Sequence, residues 1–160
     1  MLLNSHQVSE YLETNGLGEK AQVGYDLTLK GVKSINGGVV LTSKTIVEEY
    51  EDVPPTVTPT GKYLYHLKPG AYSLTFEQGC KLPNNITAFI RHRSSILRCG
   101  AIITSGVYDP GFEVDEMGGV MIVNQEIRIE KGARVAQIIM MENTPADMYD
   151  GQWQGSKDLK

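Results

Sequence analysis

Residues 101–123 read Ala-Ile-Ile-Thr-Ser-Gly-Val-Tyr-Asp-Pro-Gly-Phe-Glu-Val-Asp-Glu-Met-Gly-Gly-Val-Met-Ile-Val. Two short β-rich runs, 101–104 and 120–123, flank the turn signal Asp109-Pro110-Gly111, and no helical period of apolar positions joins them. The same construction recurs outward in both directions. Further β-rich runs lie at 39–41, 88–90 and 135–141, separated by Asn36-Gly37-Gly38, Pro69-Gly70 and Pro83-Asn84-Asn85. Short strands with this punctuation predict an all-β sandwich or jelly roll. The exception is the start, where Asn4 or Ser5 can cap a helix, Gln7 completes a capping box, and Val8, Tyr11 and Leu12 share one face. Asn15-Gly16 supplies a left-handed stop for it.

The chain has 160 residues, 41% of them apolar and 21% charged, with 17 Gly, 7 Pro, 2 Cys and a net charge of −4. That length fits one domain with its own core, so 1–160 reads as a single unit. The mild acidity argues against a broad nucleic-acid or lipid surface. Apolar runs are too short to span a membrane and the start lacks a signal-peptide pattern, which predicts a soluble, cytoplasmic protein. Cys80 and Cys99 form neither a disulfide framework nor a zinc pattern and are expected to be buried free thiols. Residues 48–61 hold three of the prolines and an acidic cluster, and read as a surface excursion between strands.

Polar residues gather in four segments. Residues 91–98, Arg-His-Arg-Ser-Ser-Ile-Leu-Arg, place three guanidinium groups and two hydroxyls together, which suits a polyanion such as a triphosphate or, alternatively, a solvated basic turn. His92 in this setting is expected at a strand edge, pointing to solvent. In Gly106-Val107-Tyr108-Asp109-Pro110-Gly111-Phe112 a carboxylate opens a tight turn and an aromatic follows three residues later, a pattern open to a purely structural reading as well. Gly24-Tyr25-Asp26-Leu27 sets a carboxylate inside a β-like stretch. In 131–139 Gln137 interrupts an apolar strand, and its amide needs either a hydrogen-bond network or a ligand.

In this order and at these separations the four segments resemble the trimeric dUTPase and dCTP deaminase superfamily. Gly24-Tyr25-Asp26-Leu27 resembles its first motif, Arg93-Ser94-Ser95 its second, Gly106 through Phe112 its third, and Gly132 through Gln137 its fourth. The similarity extends to the opening helix, to Lys81-Leu82-Pro83 and to Tyr149-Asp150-Gly151-Gln152-Trp153-Gln154-Gly155. The resemblance implies a distorted β jelly roll (a dUTPase-like β-clip) with a short N-terminal helix, assembled as a homotrimer with active sites shared between subunits. It also implies a deoxynucleoside triphosphate ligand. Arg93, Ser94, Ser95 and Arg98 would hold phosphates and Gln137 would support them. Backbone groups of Gly106, Val107 and Tyr108 would read the base, Phe112 would pack on the deoxyribose, and Tyr149 and Gln154 would act from a flexible tail, 145–160, that closes the site.

Two chemistries share the scaffold that this resemblance implies. In the hydrolase branch Asp109 deprotonates a water that attacks the α-phosphate, magnesium (Mg2+) neutralises the triphosphate, and Asp26 acts on the ion through water. In the deaminase branch a glutamate on the following strand moves protons, and alignment on Asn124 puts Met121 at that place; a thioether transfers no proton. The turn containing Glu113 and Glu116 is about two residues longer than the family's usual one, and both glutamates are expected to be solvated loop charges. The tail is deaminase-like, with Gln152 where a lysine is common and Lys157 as the candidate substitute. The expectation is therefore a dUTP nucleotidohydrolase yielding dUMP and pyrophosphate. The alternatives are a dCTP deaminase, mono- or bifunctional, and a silent dNTP-binding protein.

Overall fold

The computed structural model describes residues 1–37, 40–43, 46, 47 and 50–155. Its first elements are helix α1 (Ser5–Ser9) and strands β1 (Leu12–Glu13), β2 (Glu19–Lys20), β3 (Tyr25–Ser34), β4 (Val40–Leu41), β5 (Ile46–Val47), β6 (Glu51–Asp52), β7 (Thr56–Val57) and β8 (Tyr63–Leu67). Then come β9 (Gly70–Phe76), β10 (Gly79–Lys81), β11 (Ile86–His92), helix α2 (Ser94–Arg98), β12 (Ala101–Thr104), β13 (Glu113–Val114), β14 (Gly118–Val123), β15 (Ile127–Glu130) and β16 (Arg134–Glu142).

Six of these strands close on themselves in the order β16-β11-β12-β14-β9-β3, and pairing of β3 with β16 completes the ring. The result is the small jelly-roll barrel that the strand punctuation and the resemblance led us to expect. Every pairing within it is antiparallel. Alternation explains the inside: β11 buries Ile86, Ala88 and Ile90 while the residues between them are only partly covered, and β12 buries Ala101 and Ile103 while Ile102 and Thr104 face out. Leu27, Leu74, Phe76, Ile90, Ile103, Met121 and Ile138 are fully buried at the centre. Each such side chain contributes about 1.5–3 kcal/mol through removal of apolar surface from water. β2 and β6 extend β3, and two small sheets, β1-β10-β13 and β7-β8-β15, lie beside the ring. Among the described residues no helix is long and apolar enough to cross a membrane.

Several local expectations need correction. Helix α1 has the expected capping box: the Asn4 side chain accepts from the His6 and Gln7 amides, and Gln7 accepts from Asn4 N–H. It ends at Ser9, however, because Leu12 gains a strand partner in Cys80. Tyr11 and Leu12 therefore leave the helix, and Asn15 and Gly16, with φ of 53° and 71°, turn the chain after β1. A second helix, α2, occupies the basic cluster, where neither a capping side chain nor an apolar period announced it. Cys80 is buried as expected, but Cys99 is exposed just beyond α2. The excursion 48–61 contributes β6 and β7, so it is partly sheet. Gly38, Val39, Glu48, Glu49 and Lys157, named above, lie outside the described residues.

Candidate active site

Sheet register brings the first cluster together. Asp26 on β3 stands opposite Gln137 on β16 and opposite Glu19 on β2, while Gln137 in turn faces Arg91 on β11. Arg93 follows β11 immediately, held by its backbone N–H on Val135 O at 3.1 Å. Its side chain returns to the row: Nε lies 3.0 Å from Asp26 Oδ2 and Nη1 donates to Arg134 O at 3.1 Å. Gln137 Nε2 reaches Asp26 Oδ1 at 3.4 Å, so the amide is tied into a network and also lines an opening. Arg134 and Gln137 are three residues apart and would face opposite sides of a regular strand. A bulge between Arg134 and Ala136 restores Arg134 to the Asp26 face, where Nη1 lies 3.4 Å from Oδ2 and also pairs with Glu19.

Glycine is required beside this row at Gly24. Its φ is +88°, and an added Cβ would stand 2.5 Å from Ile138 O and 3.0 Å from Gln137 Cγ. Close approach of β3 to β16 therefore depends on the first residue of Gly24-Tyr25-Asp26-Leu27. Asp26 is nearly inaccessible to water, and burial pushes its carboxyl above the usual range, outweighing the pull of Arg93 and the Gln137 hydrogen bond.

The cluster opens into a polar cavity of about 420 Å³ lined by Gln22, Asp26, His92, Arg93, Ser94 and Arg134, among others. Ser95 and Arg98 lie on the exposed surface of α2 and do not line it. His92 is half-buried at the cavity wall with Nδ1 3.4 Å from Ile103 O, a correction to its expected place in solvent. The sequence reading missed Arg134, Glu19, Gln22 and His92 as site residues.

The second cluster surrounds the turn 105–112. Ser105 Oγ accepts from Ile90 N–H at 2.9 Å, and Tyr108 exchanges both backbone hydrogen bonds with Ala88. Tyr108 itself is buried, its hydroxyl donating to Gly118 O and accepting from Gly118 N–H, and burial raises its phenol pKa. It anchors the turn, which leaves Gly106 and Val107 as the exposed backbone. Asp109 is exposed next to them. Phe112 packs against Tyr108 with ring centroids 4.9 Å apart and meets Tyr149 edge-on at 5.4 Å. The tail is docked here on its own chain. Gln154 donates to Gly111 O at 2.9 Å and accepts from Glu113 N–H at 3.1 Å, and Tyr149 N–H donates to Pro110 O at 2.7 Å.

The two clusters sit toward opposite ends of β11. Ala88 carries the Asp109 turn, and Arg93 lies five residues further on, roughly 17 Å of extended chain. Met121 is fully buried on β14 between Ile103 and Tyr72. Glu113 pairs with Lys81, and Glu116 is half-buried and paired with Lys30, so Glu116 is not the solvated charge expected of it.

A family model described as dCTP deaminase-like matches residues 4–143. The chain belongs to the dCTP deaminase-like family. A probable deoxyuridine 5'-triphosphate nucleotidohydrolase of Methanosarcina acetivorans is 27% identical over 154 residues, covering 92% of this chain and 90% of the relative. One from Halobacterium salinarum is 30% identical over 133 residues, covering 82% and 80%. Among solved structures, the 2'-deoxycytidine 5'-triphosphate deaminase of Agrobacterium tumefaciens gives a TM-score of 0.64 at 13% identity, covering 87% of this chain and 47% of that one. Native EIAV dUTPase gives 0.53 at 14% identity, covering 95% and 98%. At these identities the structures speak for the dCTP deaminase-like fold alone, and the resemblance carried by the four motifs is borne out.

Proposed function

We propose that the chain hydrolyses dUTP to dUMP and pyrophosphate. The observation that carries this reading is the cavity where Arg93, Arg134 and Ser94 converge around Asp26 and Gln137. Guanidinium forks match phosphate oxygens two at a time, and their orientation here is fixed before any ligand arrives. The archaeal relatives named as dUTP nucleotidohydrolases support the same substrate.

The water that attacks the α-phosphate is activated by Asp109. Among the described residues no side-chain hydrogen bond or ion pair engages its exposed carboxylate, which leaves it available as a base. Because Asp109 and the arginine cradle lie at opposite ends of β11, a complete site takes the cradle from one copy and the turn from another. The proposed assembly is a homotrimer with three shared sites. In each, Gly106 and Val107 offer backbone groups to the base and Phe112 its ring to the deoxyribose, while Ser95 and Arg98 reach the phosphates from α2. Tyr149 and Gln154 act from the tail 145–160, which closes over the bound nucleotide.

The donor set fits magnesium carried in by the triphosphate. Asp26 and Glu19 are the carboxylates lining the cavity, and both Asp26 oxygens are engaged by Arg93, Arg134 and Gln137. Magnesium retains waters and takes few protein carboxylates, so Asp26 would meet the ion's water shell. When bound, the ion neutralises charge on the triphosphate.

Deamination of dCTP is the second reading, favoured by the family model. At the place where the deaminase branch has its glutamate stands Met121, buried in the core, and among the described residues Glu113 and Glu116 are ion-paired. The test is an end-point assay with dUTP or dCTP, with magnesium or a chelator, scoring pyrophosphate and ammonia. Pyrophosphate from dUTP alone is expected; ammonia from dCTP would establish deamination, and nucleotide binding without either product a silent binder. Asp109→Asn is expected to lower turnover about 10²–10⁴-fold with nucleotide affinity retained, and full activity would remove the role.

A further inference from the structure

One contact in the cavity is not used by the proposed reaction: Arg134 is ion-paired to Glu19, a residue whose side chain is 63% exposed. Ordinarily such a pair would be incidental, but here the backbone delivers the carboxylate. Gly18, with φ of +80°, is packed so tightly that an added Cβ would stand 2.3 Å from Asp26 O and 2.6 Å from Tyr25 Cε1. Tyr25 Oη donates to Leu17 O at 2.8 Å, and Glu19 is registered directly opposite Asp26. Residues 17–19 are thus clamped against Tyr25 and Asp26, with Glu19 at the cavity wall and held at the arginine.

A carboxylate and a phosphate offer a guanidinium the same fork of oxygens. We propose that Glu19 is a built-in counter-anion that occupies the phosphate position on Arg134, and that a triphosphate displaces it on entry. The inference rests on the reading that this cavity takes a polyphosphate. It assigns Glu19 two effects. The carboxylate keeps Arg134 extended toward the cavity in the free protein, and it sets a threshold: a ligand must bring enough negative charge to outcompete it. A triphosphate meets that threshold more readily than a monophosphate, so the exchange favours substrate entry and expels the product nucleotide.

Calorimetric titration of the full chain with inorganic tripolyphosphate tests this, using wild type, Glu19→Gln, Arg134→Gln and the double variant, each first checked by thermal melting for an intact fold. Glu19→Gln is expected to tighten binding about two- to fivefold, the scale of a partly exposed ion pair. Arg134→Gln is expected to weaken binding, and adding Glu19→Gln to it to change nothing further, because the group that both anions share is gone. Unchanged or weaker binding in Glu19→Gln would overturn the exchange. Equal tightening in the Arg134→Gln background would do the same, since it would reveal a general field effect, as would absence of tripolyphosphate binding by wild type. Turnover of dUTP is scored separately: the expected binding pattern without turnover supports the exchange and removes only the proposed reaction.

Discussion

Replacing Asp26 with asparagine separates what the carboxylate does for the fold from what it does for the proposed phosphate cradle. Asparagine keeps the volume and a carbonyl oxygen for Gln137, but removes the charge that Arg93 meets at 3.0 Å and Arg134 at 3.4 Å. The two arginine side chains are 32% and 38% exposed, so water screens both pairs. At about 0.2–1 kcal/mol each, they contribute about 0.4–2 kcal/mol together. Desolvation opposes them, and it prevails, since the Asp26 pKa is raised from its ordinary 3.8 by burial. A raised carboxylate pKa means that the native state holds the proton more tightly than the unfolded chain. Asp26 therefore adds stability below pH 3.8 that is lost as pH rises through the folded value, beyond which the ionised group is a net burden.

At neutral pH the Asp26→Asn variant should therefore melt within about 2–4 °C of wild type, on the high side, and lack the acid-side stabilisation that wild type gains. Catalysis should not be spared. Arg93 and Arg134 lose the carboxylate that orients them, and the same contribution of about 0.4–2 kcal/mol predicts a fall of about 2- to 30-fold in kcat/KM for dUTP. Thermal melts across pH and steady-state kinetics measure both quantities. A melting temperature lower by more than about 8 °C at neutral pH would make the carboxylate a structural keystone and refute the reasoning. So would an unchanged kcat/KM.

Gln154→Ala removes two hydrogen bonds between the tail and the Gly111–Glu113 backbone, about 0.5–1.5 kcal/mol each, and should release the tail. A red shift in the emission of Trp153, the single tryptophan, and faster proteolysis after residue 143 would report it; unchanged emission and cleavage would show that other contacts hold the tail. Gly24→Ala forces a side chain into a backbone at φ +88°, 2.5 Å from Ile138 O. The backbone strain alone is about 1–2 kcal/mol, so a lower melting temperature together with weaker polyphosphate binding, through the displaced Gln137, is expected in denaturation and titration experiments.

The strands at 101–104 and 120–123 were legible because alternation and an Asp-Pro-Gly turn are local signals. Closure of the ring was not, since the register of β3 on β16 is decided by which residues fit across the barrel. Arg93, Ser94, Asp26 and Gln137 could be named as a set only through the resemblance, because nothing in their own neighbourhoods says that β3, β11 and β16 meet. Arg134 stayed hidden behind a one-residue bulge that inverts the side on which it faces. Glu19 carried no signal at all, as its role comes from a two-residue strand placed by Gly18 and Tyr25. Helix α2 was invisible for the opposite reason: its five residues hold too little pattern to distinguish a helical turn from a basic loop. For the turn from Gly106 to Phe112 the local pattern announced a shape but not that Tyr108 would anchor it.

Closure of the ring by its first and last strands also bears on biosynthesis. Asp26 leaves the ribosome early, Arg93 follows much later, and Arg134 and Gln137 emerge only with β16. A nascent chain paused before β16 would expose unpaired edges on β3 and β11 and would lack the assembled polar cavity. Completion of the sheet and assembly of the cluster of Asp26, Arg93, Arg134 and Gln137 are thus a single late event, and until it occurs the open edges are available for association with other strands.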